Sequence, residues 1–290
     1  MKVHHISCAC IQGLSIHRRS LTCHVLLIET PANGLVLVDT GLGSADYADL
    51  PSRLGREFVN VYARPKCDPS LAAIEQIKAM GLRPEDVRHI VLTHMDLDHV
   101  GGLSDFPHAR VHLHAAELTA ALARRGFKGK RRYRPLMWAH GPDFRTYSEE
   151  GEPWFGFEAV RGLEGLPPEL LLIPLFGHTL GHCGVAVQTS GGWLLHAGDA
   201  YFDPREVTGP RRRCAPLVGL FQAIVTTDRR ARFYNQDRLR RFTATRPEVR
   251  VFCAHNPWEL EAEQRRAAAE WPSNSASSSW VASEKSKMVK

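Results

Sequence analysis

Four side chains able to bind a metal ion fall within six residues of this chain, in His94-Met95-Asp96-Leu97-Asp98-His99. The apolar run Ile90-Val91-Leu92 precedes them and Gly101-Gly102 follows. Alternate residues of an extended chain point to one side, so His94, Asp96 and Asp98 can face a common point. The glycine pair would let the chain turn sharply and carry His99 round to the same place. Imidazole and carboxylate together suit zinc, iron or manganese better than calcium, which prefers oxygen alone. A polar surface loop seldom places ligand-type residues at this spacing behind a buried strand. The chemistry such a set supports is water activation, because a bound cation lowers the pKa of water from about 15.7 to roughly 7.

A metal site needs more donors, and the chain offers them at the ends of other strand-like runs. Leu171-Leu172-Ile173-Pro174-Leu175-Phe176 leads into Gly177-His178-Thr179-Leu180-Gly181-His182. Trp193-Leu194-Leu195-His196 leads into Gly198-Asp199-Ala200-Tyr201, and Val249-Arg250-Val251-Phe252 leads into His255-Asn256-Pro257. Each run reads as a buried strand closed by a turn-forming residue. Rigid strands followed by variable loops are where sheet-rich enzymes gather their chemistry.

With these stations and the early Asp39-Thr40-Gly41 turn, the chain resembles the metallo-β-lactamase-fold hydrolase superfamily, which includes acyl-homoserine lactonases and glyoxalase II. The resemblance extends from about His24 to Glu270 and rests on five motifs in order. It implies an α/β fold, a four-layer αββα sandwich of two mixed sheets flanked by helices. It also implies two divalent metal ions. One would be held by His94, Asp96 and His178, the other by Asp98, His99 and His255, with Asp199 bridging. His182 would then be structural, and Asp39 would orient a ligand histidine. Asp98 would double as a proton shuttle. Tyr201, two residues after Asp199, is similar to a tyrosine of the family's lactonases and would donate to a developing oxyanion.

One station departs from the family pattern: Asp96 stands where the family has a second histidine. Added oxygen donation weakens Lewis acidity and moves preference from zinc toward iron or manganese. Zinc remains favoured, with iron or manganese open because of Asp96. Flavodiiron proteins resemble the chain in having a carboxylate there, but they carry a flavin domain for which this chain has no fingerprint.

The elements that must position these donors can be read in order. Residues 1–40 predict paired strands with a turn at Pro31-Ala32-Asn33-Gly34. Asp68-Pro69 predicts a helix start, with Leu71, Ile74, Ile77 and Met80 on the core face and Gly81 as the stop. Val111–His114 reads as a strand, residues 115–125 as a helix, and residues 228–245 as another. Asn256-Pro257 opens a last helix, with Glu259 at the capping-box position. Residues 126–157 show no clear periodicity and read as a variable insertion shaping the pocket or a dimer contact. Within it Trp138, Trp154 and Phe155 could line an apolar acyl pocket or anchor the loop. Residues 1–271 form one domain on this reading, and the serine-rich stretch 272–290 a disordered tail.

Composition narrows the partners. Seven scattered cysteines without paired zinc-ribbon spacing suggest a reducing compartment. The N-terminus lacks the apolar core of a secretory signal, and no run approaches a membrane span. A cytoplasmic enzyme is therefore expected, with no membrane partner. The net charge of +6 is concentrated in residues 124–134 and in Arg211-Arg212-Arg213. A solvated arginine-rich surface explains this better than a nucleic-acid site, although steering of an anionic substrate stays open. The expected activity is metal-dependent hydrolysis of a small ester, lactone or thioester by an activated hydroxide, with a lactone favoured. Glyoxalase-II-like thioester cleavage is the alternative and β-lactam hydrolysis a weaker one. From other classes, a di-iron oxygen-chemistry protein or a metabolite-binding relative remains, and a nuclease comes last.

Overall fold

Strands in this chain bury both faces, and the two faces meet different partners. On strand β2 (Arg19–Glu29), Val25 and Leu27 pack under helices, while Leu26 and Ile28 pack against a second sheet. Alternation along one strand therefore feeds two separate cores. The computed structural model describes residues 1–16, 18–148, 151–158 and 162–271. The tail expected at 272–290 lies outside the described residues.

The first sheet has six strands in chain order: β1 (Lys2–Ile16), β2, β3 (Leu35–Val38), β4 (Val87–Val91), β5 (Arg110–His114) and β6 (Asp143–Tyr147). The β1–β2 and β2–β3 pairs are antiparallel and the rest parallel. The second sheet joins β7 (Leu170–Pro174), β8 (Cys183–Thr189), β9 (Gly192–His196) and β10 (Arg250–Phe252), with only β9–β10 parallel. Leu26, Val36 and Val91 of the first sheet pack against Leu170, Val185 and Leu194 of the second, forming the central layer. Outside the first sheet lie α1 (Ser44–Ala48), α2 (Leu50–Leu54), α3 (Ala73–Ala79), α4 (Leu97–Val100), α5 (Ala115–Ala123) and α6 (Gly126–Arg132). Then follow α7 (Pro216–Val225), α8 (Arg229–Thr245) and α9 (Pro257–Glu270); Leu239 and Phe242 of α8 pack onto the outer face of the second sheet. This is the expected αββα sandwich.

Several local expectations need correction. Pro69–Leu71 forms only a 3₁₀ turn, extended Ala72 breaks it, and α3 begins at Ala73. Met80 is exposed rather than in the core, although Gly81 ends the helix with φ +75° as expected. Residues 126–157 are not irregular throughout, since they supply α6 and the edge strand β6. Trp154 is buried against Phe242 and Trp193 on the outer face of the second sheet, and Phe155 stacks near Phe242. They anchor the segment there and line no acyl pocket with the metal-type residues. Asn256 caps α9 through Trp258 N and Glu259 N, but the Glu259 carboxylate reaches back to Cys253 N instead of closing a capping box.

Candidate metal centre

The histidine-rich segment changes conformation halfway, and this divides its donors. His94 and Asp96 follow β4 in extended chain, with Asp96 at φ −70°, ψ 155° as the residue capping α4. Asp98 and His99 lie on α4 itself, with the His99 ring against that of His94, their centroids 4.0 Å apart. The glycine pair does not make the turn. Gly101 has φ −58°, and its missing side chain lets the backbone approach another element: a Cβ there would sit 1.9 Å from Asp46 Oδ2.

Two donor pockets result, joined at Asp199. In the first, His178 Nε2 lies 2.9 Å from Asp96 Oδ2, and His94 Nε2 lies 3.6 Å from the same oxygen. Asp199 Oδ2 stands 3.8 Å from His94 Nε2 and 3.5 Å from His178 Nε2. In the second, His255 Nε2 lies 3.4 Å from His99 Nε2 and 3.7 Å from Asp98 Oδ2. Asp199 reaches this pocket too, with Oδ2 3.1 Å from His255 Nε2 and Oδ1 3.5 Å from His99 Nε2. All seven expected metal-type residues are thus brought together. His94 Nε2 and Asp199 Oδ1 are buried and make no hydrogen bond among the described residues, which fits donors aimed at a cation.

Residues behind the donors fix their orientation. Asp39 accepts from His99 Nδ1 at 2.8 Å and from the Thr93 backbone and hydroxyl, both at 2.8 Å. Thr93 Oγ1 lies 3.0 Å from His94 Nδ1, so one carboxylate orients histidines of both pockets. Asp39 holds φ +59°, a left-handed backbone costly for a non-glycine residue and typical of sites where geometry is enforced. His182 donates from Nδ1 to Leu175 O at 2.9 Å and accepts from Asp199 N at 2.8 Å, the structural part expected of it. Gly198, φ +53°, is required there, because a Cβ would lie 2.6 Å from His182 Nε2.

The field is dominated by the carboxylates. Burial alone would lower His99, but Asp199 and Asp39 outweigh it and lift the imidazole to about 10. Burial opposes ionisation of Asp199, yet His255 and His99 hold its carboxyl well below the usual range. Asp96 is likewise opposed by burial and held well below by Arg132 first and His94 next.

Arg132 was not singled out in the sequence, where it is one of many arginines in the basic stretch. Here α6 delivers it to the first pocket. Its Nε lies 3.0 Å from Asp96 Oδ1, while Nη1 donates to His178 O at 3.0 Å and Thr227 Oγ1 at 2.8 Å. Nη2 donates to Val225 O. Glu117 on α5 was also missed. It is fully buried and accepts from Met95 N at 2.9 Å and Gly181 N at 3.1 Å, clamping both loops of the first pocket together. Cys23 on β2 is a third omission, lying 3.6 Å through Sγ from Asp98 Oδ2. No spacing signal links any of these to the histidine motifs.

Tyr201 is the one expected site residue that the structure does not bring to the pockets. It is fully buried among core residues of the second sheet's outer face, and its hydroxyl donates to Glu259 at 3.0 Å.

Two sheets between helix layers, with histidines and aspartates converging at strand ends, define a metal-dependent hydrolase fold. The family model of the metallo-beta-lactamase superfamily matches residues 18–264, and the chain belongs to that superfamily. It is 40% identical over 258 residues to a probable metallo-hydrolase of Mycobacterium tuberculosis, covering 89% of this chain and 81% of that one. An N-acyl homoserine lactonase of a Bacillus species is 26% identical over 177 residues, covering 60% of this chain and 62% of the lactonase. Among solved structures, a point mutant of AiiA from B. thuringiensis, with N-decanoyl-L-homoserine bound at its active site, superposes with a TM-score of 0.65. The match covers 90% of this chain and 95% of that one at 20% identity, a likeness of fold. The protein is therefore a metallo-hydrolase of this superfamily, whose members usually bind divalent metals.

Proposed function

We propose that the protein hydrolyses a small ester, lactone or thioester at a two-cation centre, with a lactone favoured. The carrying observation is the pair of donor pockets that meet at Asp199, with His94 Nε2 and Asp199 Oδ1 left without hydrogen bonds among the described residues. His94, Asp96 and His178 would hold the first cation, Asp98, His99 and His255 the second, and Asp199 both. Such cations, when bound, acidify water and polarise an acyl oxygen.

The chain's own residues do the remaining work. Asp39 and Thr93 hold His99 and His94 with their Nε2 atoms facing inward. The Asp96 and Asp98 side chains are 18% and 12% exposed, whereas the His94 and His255 side chains are 0% and 3%. The two carboxylates therefore mark where the pockets meet solvent, and Asp98 is placed to pass a proton to a leaving oxygen or sulfur. Leu180 in the loop after His178 and Ile224 near the end of α7 present exposed apolar surface. Thr227, just past α7, donates its backbone N–H to His178 O at 3.0 Å, which ties that surface to the site. The lactonase relative supports an acylated lactone as substrate; Tyr201 gives no support, being turned into the core. A reducing, cytoplasmic setting accords with seven cysteines that form no disulfide among the described residues. No helix among those residues is long and apolar enough to cross a membrane.

The test is metal analysis followed by a panel of acyl lactones, thioesters and β-lactams. Wild type should carry up to two divalent ions, lose turnover on chelation and regain it on reloading. Asp199→Asn should lower kcat/KM by about 100-fold or more, since even outer partners of a metal cost roughly 10–100-fold. A metal-replete protein that turns over nothing in the panel would defeat the proposal. Oxygen consumption with a reductant would then point to the di-iron class.

A further inference from the structure

The second pocket contains a donor that the histidine motifs do not supply. Cys23 is 2% exposed, and its Sγ, an Asp98 carboxylate oxygen and a His255 ring nitrogen all lie within 4.8 Å of one another. We propose that Cys23 is a ligand of the second cation, completing with Asp98 and His255 a sulfur-containing pocket selective for a thiophilic ion such as zinc. The proposal rests on the two-cation reading above.

Three observations carry it. The first is distance. A tetrahedral zinc with bonds of about 2.3 Å to sulfur and about 2.1 Å to oxygen or nitrogen holds such ligands about 3.6 Å apart. Cys23 Sγ and Asp98 Oδ2 are 3.6 Å apart, and Asp98 Oδ2 and His255 Nε2 are 3.7 Å apart. The second is rigidity. The residues on either side of Cys23 are bonded to the loop that carries His255: Thr22 N donates to His255 O at 3.3 Å and His24 N to Ala254 O at 2.8 Å. His255 Nδ1 in turn lies 2.6 Å from Thr22 O, which keeps Nε2 facing the pocket. The segment that positions the histidine therefore also positions the sulfur, on a strand rather than a loop.

The third is contrast with other buried thiols. Cys8 and Cys183 are equally buried, yet neither belongs to a donor group with histidine and carboxylate among the described residues. Cys23 instead directs its sulfur at the Asp98 carboxylate, which also faces His255.

The chemistry follows from ligand softness. A thiolate favours zinc and cobalt over iron(II), manganese or magnesium, whereas Asp96 makes the first pocket harder. The chain would thus bind its two ions with different preferences. On uptake the S–H bond breaks, the sulfur–metal bond forms, and the proton leaves to solvent past Asp98.

Cobalt(II) alone, titrated into chelator-stripped full-length protein, reads this directly. Wild type should develop visible cobalt bands and, as the second equivalent binds, a near-ultraviolet thiolate-to-cobalt charge-transfer band. Cys23→Ser and Cys23→Ala should lose that band and weaken the second zinc by about 10-fold or more, while still binding the first. Cys8→Ala should keep the band. Alanine covers the case in which a serine hydroxyl is poorly tolerated in the apolar surroundings, and the wild-type spectrum decides even if neither variant folds. Two cobalt ions bound without a thiolate band overturn the assignment but leave the two-cation centre standing. A band that survives both Cys23 substitutions also overturns it. No cobalt bound by wild type overturns the assignment together with the centre.

Discussion

The two pockets share Asp199 yet differ in how their charge is held. The first places an aspartate, Asp96, between two histidines and backs it with a half-buried guanidinium, Arg132, at 3.0 Å. The second sets Asp98 against His255 and His99 with no arginine or lysine paired to it among the described residues, and with the Cys23 sulfur alongside. A carboxylate paired with a guanidinium is, in net charge, equivalent to the neutral imidazole that the family has at that station. The departure from the family pattern is therefore compensated in space by a residue from α6. Counting ligands along the chain would make the first pocket more negative than the family's own; the structure shows that this excess charge is already met by Arg132.

Replacing Asp96 tests this pairing most severely. Asp96→His leaves the half-buried Arg132 beside an imidazole, at about 1–3 kcal/mol for the partner it loses, below the roughly 3–5 kcal/mol of a fully buried pair. The variant should lose thermal stability and first-pocket occupancy in calorimetry and metal analysis, and adding Arg132→Leu should restore both. If Asp96→His alone binds two ions as tightly as wild type, the pairing has no function. Glu117→Gln should come next, because its amide turns a donor toward Met95 N or Gly181 N, at about 1–3 kcal/mol for the unsatisfied group. Metal occupancy should fall in the first pocket only; an equal fall in both would erase the distinction between them.

A titration remote from both pockets provides the background. Burial first, then His89, lowers His112 to about 3 from 6.5. Since the unfolded imidazole takes up its proton first, stability should be full above pH 6.5 and decline as pH falls from there toward 3. His5, lowered to about 3 chiefly by burial, acts with the same sign. Urea midpoints of wild type and His112→Gln, measured with chelator present, should diverge less at low pH than at neutral pH. A wild-type midpoint that stays flat from neutral pH down to the folded-state value would contradict this. The smallest effect belongs to Tyr201→Phe. It removes one hydrogen bond to Glu259, about 1 kcal/mol, and should leave kcat within about 2-fold, where an oxyanion donor would cost about 100-fold or more.

The donors were legible because each stands where an apolar run meets a turn, a pattern local in sequence. His94, Asp98, His99, His178, Asp199 and His255 all fall at such ends, and so does Asp39. The layered fold was legible through the resemblance these stations carry, and continuous apolar runs such as Leu170–Pro174 agree with strands buried on both faces. Arg132 was hidden among neighbouring arginines of the same basic stretch, and Glu117 among helix residues with no visible partner. Cys23 lay in a strand whose neighbours are mostly apolar. Tyr201 was named through the resemblance alone, and here its hydroxyl turns to Glu259 in the core.

The sequence by itself determined the inventory: which imidazoles and carboxylates exist, that they close strands, and to which superfamily their order belongs. Only the tertiary structure decided which donors share a pocket, that Arg132 answers Asp96, and that Cys23 faces Asp98. Local patterns encode the direction of a side chain relative to its own element. Contacts between elements depend on how helices and sheets pack, and no spacing along the chain records that.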